Sequence, residues 1–428
     1  MVAILFISLA VLLIIGSPIF IGLAGSVTIS FALFNDIDLA IIVQRFIAGL
    51  NKFSLMAIPL FILAANLMGE GGISRRLINV ANAFVGRIPG GLGMTTIIAC
   101  LFFGAISGSS PATVVAIGGI LYPALLEKKY PVGYATGVVT ASGALGIIIP
   151  PSVNMIVFGV VTGCSVGTLF MAGFGAGIMY AVPFLLYTYF FARRHPEIVR
   201  EERTTVKEKL ISIKEAAWGL GIPFIILGGI YTGVFTPTES AAVAVVYALI
   251  IAMFVYKELD LKEVLQCILK SSVTTAQIMV LLAGASVFSW ILTSEGITVN
   301  IASAVLSASS NPLIILMLIN IVLLIAGMFI DGCSMITILG PLFFPIAMKV
   351  GIDVIHLGIV MTITSAIGMF TPPFGLNLFV ASSVCKQPLM KVAKGCIPFL
   401  VLSLIALILL TYIPEISLWL PRRVYGVW

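Results

Sequence analysis

An internal duplication dominates this sequence. Three short segments of the first half recur in the second half, in the same order and at nearly the same offset. The matches involve small, polar and proline residues, not only apolar ones. The paired segments are FGAISGSSPAT at 103–113 with GMFIDGCSMIT at 327–337, GIIIPP at 146–151 with GMFTPP at 368–373, and MGEG at 68–71 with TSEG at 293–296. We therefore expect two halves built on one plan.

The composition makes lipid the solvent for this chain. It has 428 residues, of which 60% are hydrophobic and 9% charged, and its mean hydropathy is +1.20. A soluble protein needs far more charge to cover its surface. Because a spanning helix needs about 20 apolar residues, the chain has room for roughly ten crossings. Residues 1–15 are apolar without a preceding basic region, which indicates a first membrane helix and not a cleaved signal peptide.

A single long polar segment divides the halves. It covers residues 193–216 and carries an excess of lysine and arginine over glutamate. The positive-inside rule places it in the cytoplasm, and it is too short to form a soluble domain. The expected organisation is a first repeat at 1–192, a cytoplasmic linker at 193–216 and a second repeat at 217–428. The net charge of +6 reflects loop topology and does not indicate nucleic-acid binding.

Charge also predicts that the halves are inverted. The first duplicated segment is flanked by Arg87 on one side and by Lys128 and Lys129 on the other, so both flanks are expected in the cytoplasm. A segment that begins and ends on one side is a re-entrant hairpin. Its counterpart follows the uncharged stretch 307–311 and precedes only Lys349, so both of its flanks are expected outside. The two hairpins then enter from opposite faces, which is an inverted-topology repeat.

Hydropathy and turn residues divide each half into the same series of elements. In the first half we expect helices near 2–16, 18–34 and 52–69, an amphipathic arm over 70–89, a hairpin over 92–126, a broken helix over 132–160 and a helix over 169–192. In the second half we expect helices near 217–231, 240–256 and 272–293, an arm, a hairpin over 312–347, a broken helix over 355–383 and a last helix over 396–413. Five crossings per half place both termini outside, although Arg422 and Arg423 disagree with the positive-inside rule.

Two proline pairs predict the broken helices. Pro150-Pro151 and Pro372-Pro373 stand at matched positions within apolar segments. Proline removes a hydrogen-bond donor and clashes with the preceding turn, so two in succession should interrupt each helix. Non-helical backbone at membrane depth is tolerated only inside protein or beside a cavity. Interrupted helices offer free carbonyls to a cation and free N–H groups to an anion. The alternative is a simple proline kink in each helix.

The hairpin tips carry the hard oxygen ligands of the chain. Tip one is residues 107–113 and tip two is residues 331–334, with Thr337 one turn later. Hydroxyl, carbonyl and carboxylate oxygens suit sodium and do not suit zinc or copper. The alternative for the small residues is close helix packing in the membrane. Asp331 is an ionisable group in an apolar run, which favours a functional role as sodium ligand or as proton carrier. Asn154 and Asn377 follow the proline pairs and are expected to reach substrate or ion.

The remaining polar residues favour structural roles. Glu239 is predicted to cap a helix, Glu70 and Glu295 to lie at the membrane interface, and His195 and His356 to lie in loops. The sequence has no GxxxxGK[ST] nucleotide loop, no HExxH and no Ser/His/Asp pattern of a hydrolase. We therefore expect a transporter and not an enzyme, driven by an ion gradient or by a partner.

Four motifs together resemble one family of membrane proteins. They are GAISGSS at 104–110, GIIIPPS at 146–152, FTPTES at 235–240 and GMFTPP at 368–373, and the resemblance to the large membrane subunit of tripartite ATP-independent periplasmic (TRAP) transporters covers essentially the whole chain. It implies sodium-coupled import of a carboxylate, such as a C4-dicarboxylate or sialic acid, across the bacterial inner membrane. It also implies a periplasmic substrate-binding protein and a separate small membrane subunit of about four helices. The implied fold is an all-α, elevator-type fold, in which the hairpins and broken helices move against a scaffold.

The resemblance also implies particular binding residues. One sodium site would join Ser107, Ser109 and Ser110 to carbonyls near Gly146 and Ile149. A second would join Asp331, Gly332 and Thr337 to carbonyls near Gly368 and Thr371. The substrate would lie between the tips, near Ser110, Ser334, Asn154, Asn377, Pro151 and Pro373. Two or more sodium ions are therefore expected.

Three other functions stay open at this point. Asp331 could couple transport to protons, the chain could be a passive channel, or it could be a receptor for a binding protein. A channel needs a continuous pore, whereas hairpins that enter from opposite faces favour alternating access. A receptor has no use for two tips rich in ion ligands. The sequence does not distinguish a dicarboxylate from sialic acid.

Overall fold

The computed structural model describes residues 2–34, 40–200, 205–297, 299–300, 303 and 311–426, and the regular secondary structure in this part is helical. The helices before the polar linker are α1 (Val2–Ile14), α2 (Ile19–Phe34), α3 (Ala40–Leu50), α4 (Ala57–Glu70), α5 (Ile73–Val85), α6 (Gly91–Ser107), α7 (Ser110–Glu127), α8 (Val132–Ser142), α9 (Leu145–Ile148), α10 (Val153–Thr162) and α11 (Val166–Arg193). The later helices are α12 (Val206–Tyr231), α13 (Pro237–Ile250), α14 (Leu261–Ser294), α15 (Pro312–Gly327), α16 (Gly332–Lys349), α17 (Val354–Gly368), α18 (Leu376–Cys385), α19 (Leu389–Tyr412) and α20 (Glu415–Tyr425). Nine spans in this described part are long and apolar enough to cross a bilayer, which confirms a polytopic membrane protein.

The first duplicated segment forms a helical hairpin, as predicted. Helices α6 and α7 pack against each other and are joined at Gly108 and Ser109. Gly108 has φ +58°, the left-handed region that glycine enters without steric cost. A β-carbon at Gly108 would also lie 2.8 Å from the carbonyl oxygen of Pro151. The tip therefore requires glycine for its backbone conformation and for its approach to the interrupted helix.

The second duplicated segment forms the matching hairpin from α15 and α16. Asp331 is the N-cap of α16, and its Oδ1 accepts a hydrogen bond from the backbone N–H of Ser334 at 3.1 Å. Capping by a short acidic side chain satisfies one of the free N–H groups of the first turn. Both segments thus form helical hairpins, as predicted, and their entry from opposite membrane faces stays a prediction.

Both predicted broken helices are interrupted, which excludes the simpler proline kinks. Helices α8 and α9 lead to the pair Pro150-Pro151, and α10 resumes afterwards. Helix α17 ends before Pro372-Pro373, and α18 resumes beyond it. Both proline pairs have a cis peptide bond. Ser152 caps the resuming α10 by accepting from the N–H of Met155, and its hydroxyl donates to the carbonyl of Ile147 at 2.6 Å.

Each hairpin contacts its own broken helix through a pair of glycines. A β-carbon on Gly104 would lie 2.9 Å from the Cα of Gly146, and one on Gly327 would lie 3.0 Å from the Cα of Gly368. Gly146 and Gly368 occupy matched positions of the duplicated segments, whereas Gly104 and Gly327 differ by one position in that alignment. Backbones that approach so closely can present carbonyl groups from two helices to one point.

Several element boundaries differ from the prediction. Helix α3 was not predicted, because its eleven residues are too few to cross a bilayer; it packs on α14, where Ser286 donates to the carbonyl of Arg45 at 3.2 Å. Helix α12 begins at Val206 and α14 at Leu261, so both extend earlier than the apolar runs predicted at 217 and 272. Each extension begins with a capping box, which stabilises polar helical turns that hydropathy does not detect.

The predicted amphipathic arm of the first half is confirmed as α5, which packs between α12 and α6. The predicted arm of the second half lies outside the described residues for most of its length. Glu239 caps α13 as predicted, since the N–H of Thr236 donates to its Oε2 at 2.8 Å. His195 lies beyond the end of α11, as predicted.

The loop prediction for His356 is wrong. This residue lies in the first turn of α17 and is 2% exposed. Its Nδ1 lies 3.0 Å from the hydroxyl of Ser417, and its Nε2 lies 3.1 Å from the carbonyl of Thr411. The side chain thereby connects α17 to α19 and α20. Asp353 and Gly351 lie three and five residues before His356, and such residues are typical of loops as well as of helix starts.

Candidate functional site

The tips of the two hairpins lie in the wall of one cavity of about 720 Å³. The residues of this wall used below are Gly108, Ser109, Ser110 and Pro111 of tip one, Asp331, Gly332, Cys333 and Ser334 of tip two, Asn154 of α10, and Thr274 and Gln277 of α14. Two segments that are more than 200 residues apart in the sequence thus face the same space. This cavity is the candidate site.

Tip one presents hydroxyl and carbonyl oxygens close together. The hydroxyls of Ser107 and Thr113 are 3.1 Å apart, and Thr113 donates to the carbonyl of Ser109 at 2.7 Å. A β-carbon on Gly146 would lie 2.7 Å from that same carbonyl oxygen. The structure therefore brings Ser107, Ser109 and Gly146 of the first predicted sodium site together. The side chain of Ile149 packs against Gly177 of α11.

Tip two is organised around the carboxylate of Asp331. The hydroxyl of Ser334 donates to Asp331 Oδ2, and the Ser334 N–H donates to Oδ1. Asp331 is half-buried, and within the described residues no lysine or arginine pairs with it. Thr337 donates to the carbonyl of Cys333 at 2.6 Å. A carboxylate without a basic partner is suited to a cation.

The interruption behind tip two supplies the other residues of the second predicted sodium site. Gly368 contacts Gly327 of the second hairpin, and the hydroxyl of Thr371 donates to the carbonyl of Ile367 at 2.7 Å. Both residues belong to the end of α17 and the segment that follows it. The donor set of the two tips is hydroxyl, carbonyl and one carboxylate, which fits a hard cation. Within the described residues no group of three His, Cys, Asp or Glu side chains could hold a metal ion.

The predicted substrate residues divide into two groups. Ser110, Ser334 and Asn154 line the cavity, whereas Asn377, Pro151 and Pro373 do not. Pro151 is buried behind the cavity wall and Pro373 is exposed at the protein surface. Asn377 has no exposed surface, and its Nδ2 donates to the hydroxyl of Ser110 at 2.7 Å. Asn377 therefore contacts the cavity wall from behind.

Two polar residues of the cavity wall were not predicted. Thr274 and Gln277 lie one turn apart on α14 and are exposed. They belong to the run KSSVTTAQ at 270–277, which enters the span predicted at 272–293. A polar run within a membrane helix is the signal that could have identified them, because polar side chains at membrane depth face a cavity or another helix.

Paired helical hairpins and interrupted helices around one central cavity define a multi-pass membrane transport protein. The family model described as "Tripartite ATP-independent periplasmic transporter, DctM component" matches residues 6–416. The chain belongs to this family of bacterial inner-membrane permeases. It is thus a transporter component and not an enzyme, as the sequence predicted.

Relatives in this family are named for several organic substrates. The chain is 44% identical to the C4-dicarboxylate TRAP transporter large permease protein DctM of Pseudomonas aeruginosa, over 94% of this chain and 93% of that protein. It is 35% identical to the sialic acid TRAP transporter large permease protein SiaM of Vibrio cholerae, over 97% of each chain. It is 39% identical to the isethionate TRAP transporter permease protein DctMQ of Oleidesulfovibrio alaskensis, over 96% of this chain and 65% of that protein.

Solved structures share the fold at low sequence identity. The YdaH transporter of Alcanivorax borkumensis aligns with a TM-score of 0.61 and 14% identity, over 90% of each chain. MtrF of Neisseria gonorrhoeae aligns with a TM-score of 0.54 and 16% identity, over 89% of this chain and 84% of that chain. These similarities concern the fold alone.

Proposed function

We propose that this chain is the permease subunit of a sodium-coupled secondary transporter that imports an organic acid. The observation that carries the proposal is the meeting of two oxygen-rich hairpin tips in one cavity, one of them with a carboxylate that has no basic partner among the described residues. A carboxylate at membrane depth is costly unless a cation or proton neutralises it. The hard oxygen donors around it favour sodium over a transition metal.

Two sodium sites are proposed, one at each tip. The first uses Ser107, Ser109 and Ser110 with carbonyls near Gly146 and Ile149. The second uses Asp331, Gly332 and Thr337 with carbonyls near Gly368 and Thr371. The glycine contacts between each hairpin and its broken helix support this arrangement, because they allow two backbones to approach one ion.

The proposed substrate is an organic anion of the C4-dicarboxylate type. Helices α7 and α16 both begin at the cavity wall, and the N-termini of helices attract anions. Ser110 and Ser334 are the proposed substrate contacts in the cavity wall, and Asn154 lines the same wall and bonds to Cys333 of tip two. Asn377 and Pro151 lie behind the wall, whereas Pro373 is exposed outside it. The dicarboxylate is preferred to sialic acid because relatives named for C4-dicarboxylates are 44% and 40% identical, against 35% for the relative named for sialic acid.

The transport mechanism we propose is an elevator movement of inverted repeats. The hairpins, the broken helices, α11 and α19 form the transport body, and α1–α5 with α12–α14 form the scaffold. The cavity supports this division, because its wall combines both tips with residues of α14. Movement of the body past α14 exposes the cavity to one side of the membrane and then to the other.

Two partners complete the proposed transporter. A periplasmic binding protein delivers the substrate, and a small membrane subunit of about four helices joins the scaffold. The relative named DctMQ supports the proposal of a small membrane subunit. Its name joins the letters M and Q, and this chain covers only 65% of its length.

Substrate uptake into proteoliposomes tests the proposal. The permease is reconstituted with the small subunit and the binding protein of its own transporter, and uptake of labelled succinate is measured under a sodium gradient, a proton gradient or neither. Fumarate, malate, sialic acid and isethionate serve as competitors. Accumulation that requires the sodium gradient and is inhibited by other C4-dicarboxylates is the expected result. Accumulation under the proton gradient alone would favour proton coupling, and equilibration without accumulation would favour a channel.

A further inference from the structure

Asn154 of the first half connects two elements of the second half. Its Nδ2 donates to the hydroxyl of Ser365 on α17 at 2.9 Å, and its Oδ1 accepts from the thiol of Cys333 in tip two at 3.1 Å. Asn154 is 2% exposed, so both ends of its amide are used away from water. A β-carbon on Gly332 would collide with this amide, and glycine at that position is what allows the contact.

Asn377 of the second half makes the reciprocal connection. Its Nδ2 donates to the hydroxyl of Ser110 in tip one at 2.7 Å and lies 3.5 Å from the carbonyl of Thr140 on α8. Asn377 is the second residue of α18, the helix that resumes after Pro372-Pro373. Asn154 has the same place in α10, which resumes after Pro150-Pro151. Each asparagine therefore contacts the hairpin tip and the first segment of the broken helix that belong to the opposite half.

Whole helices also pack across the two halves. Helix α10 of the first half packs along α16 of the second, and α18 of the second half packs along α7 of the first. Neither tip is held by its own half alone. Separation of either tip from the resuming helix beside it would remove one hydrogen bond from a buried asparagine amide, which is unfavourable.

We propose that Asn154 and Asn377 are positioning residues, which clasp each hairpin tip to the resuming helix of the opposite half. The clasp of Asn154 and Cys333 and the clasp of Asn377 and Ser110 make the two tips and the two broken helices one rigid body during transport. This inference rests on the proposed transport function and adds how the substrate cavity keeps its shape while it moves.

The Asn377 clasp acts on substrate through Ser110. The amide oxygen of Asn377 accepts no hydrogen bond within the described part of the chain, so the nitrogen alone makes this clasp. Because Asn377 lies behind the cavity wall, its loss should misplace the Ser110 hydroxyl without removing a group that touches substrate. We expect Asn377→Leu, which keeps the approximate volume, to raise the KM for uptake about tenfold, the effect of one lost hydrogen bond, with a smaller change in maximal rate.

A double-mutant cycle separates positioning from an independent effect. Ser110→Ala, Asn377→Leu and the double variant are compared in the proteoliposome assay. If Asn377 acts through Ser110, the double variant has a KM no higher than that of the weaker-binding single variant. Multiplication of the two single effects would contradict the inference.

A covalent replacement tests the Asn154 clasp. In Asn154→Cys the new thiol faces the native Cys333, and the two are joined by oxidation or by a one-carbon bis-thiosulfonate reagent. The reduced variant should show a raised KM, and the cross-linked variant should regain a KM near that of the wild type, because the bond holds tip two against α10. Asn154→Cys with Cys333→Ser is the control and should not respond to the cross-linker.

Three results would overturn the inference. They are failure of the thiols to cross-link by either reagent, a cross-linked variant as weak as its reduced form, and loss of transport that returns on reduction. Asn320→Leu is the matched control for a structural effect, because Asn320 is a buried asparagine that bonds Thr411 at 2.9 Å and accepts from Thr364 at 3.1 Å. It should lower thermal stability without raising the KM. Absence of uptake by the wild type in the same vesicles would count against the proposed function and not against the clasps.

Discussion

Asp331 combines a structural and an electrostatic role in one side chain. Its Oδ1 caps α16 through the N–H of Ser334, and its charge has no basic partner among the described residues. The sequence alone predicted the functional role, because an isolated carboxylate in an apolar run is expensive. It could not predict the cap, which depends on where α16 begins.

Asp331→Asn separates these two roles, since asparagine caps helices about as well as aspartate. We expect the variant to keep the thermal stability of the wild type in potassium and to lose much of its stabilisation by sodium. Sodium at about 100 times its Kd should stabilise the wild type by roughly 2.7 kcal/mol. Thermal unfolding of the purified protein in sodium, potassium and choline at equal ionic strength measures this.

Asp331→Ala removes both roles and provides the comparison. It should cost a further 0.5–2 kcal/mol, roughly the value of an N-cap, in every salt. A sodium shift in Asp331→Asn as large as that of the wild type would exclude Asp331 from a sodium site.

His356 carries a prediction about stability alone. It connects α17 to Ser417 and Thr411 by two buried contacts and lies outside the cavity wall. We expect His356→Phe to reduce the free energy of unfolding by about 1–3 kcal/mol, because the buried partners lose their hydrogen bonds. The sodium-dependent shift in thermal unfolding should be unchanged, and its loss would show that this network extends to the ion sites.

At the scale of elements, hairpins and interruptions were predictable because their chemistry is local. Two prolines in succession cannot continue a helix, and Gly108 enables the tight turn of tip one. Helix α3 and the early starts of α12 and α14 were not predictable from hydropathy, because their residues are polar or too few. Capping boxes, which are visible in the sequence at Thr205 and Asp260, would have corrected the two starts.

The glycine contacts between hairpin and broken helix predict that alanine destabilises the protein at these contacts and is tolerated elsewhere on the same helices. We expect Gly104→Ala and Gly327→Ala to destabilise the protein by about 1–3 kcal/mol each, because the added methyl group overlaps the backbone of the facing glycine. Gly119→Ala on α7 is the control, since nothing lies within 4 Å of its β-carbon position. It should be neutral or stabilising by about 0.5–1 kcal/mol. Thermal unfolding and uptake are measured for all three; equal effects would contradict the proposed close approach.

At the scale of the whole molecule, the two halves share one repeated plan, and each half bonds to the hairpin tip of the other. The main hydrophobic core includes both hairpins and both broken helices, whereas α1, α2 and α14 share a second, smaller core. The main core also includes α4, α5, α12 and α13, so the boundary between the two cores lies within the proposed scaffold. The contacts between the two halves support the proposal that they move as one body.

The proposed inverted arrangement of the two halves predicts that the base of each hairpin is accessible from a different side of the membrane. Arg87→Cys near the first hairpin should react with a membrane-impermeant maleimide only after the membrane is opened. Lys349→Cys at the end of the second hairpin should react in intact spheroplasts. Both positions are exposed at the protein surface, so only the membrane protects them. Reaction of both from the same side would exclude inverted repeats.

The sequence by itself determined the membrane location, the duplication, the two hairpins and the two interruptions. These depend on hydropathy and on the local chemistry of proline, glycine and isolated charge. Only the tertiary structure decided that Thr274 and Gln277 line the cavity, that His356 is buried, and that Asn154 and Asn377 bond to the opposite half. Asn154 and Ser365 are 211 residues apart, and Asn377 and Ser110 are 267 apart. Contacts over such distances follow from how helices pack, and no local pattern encodes them.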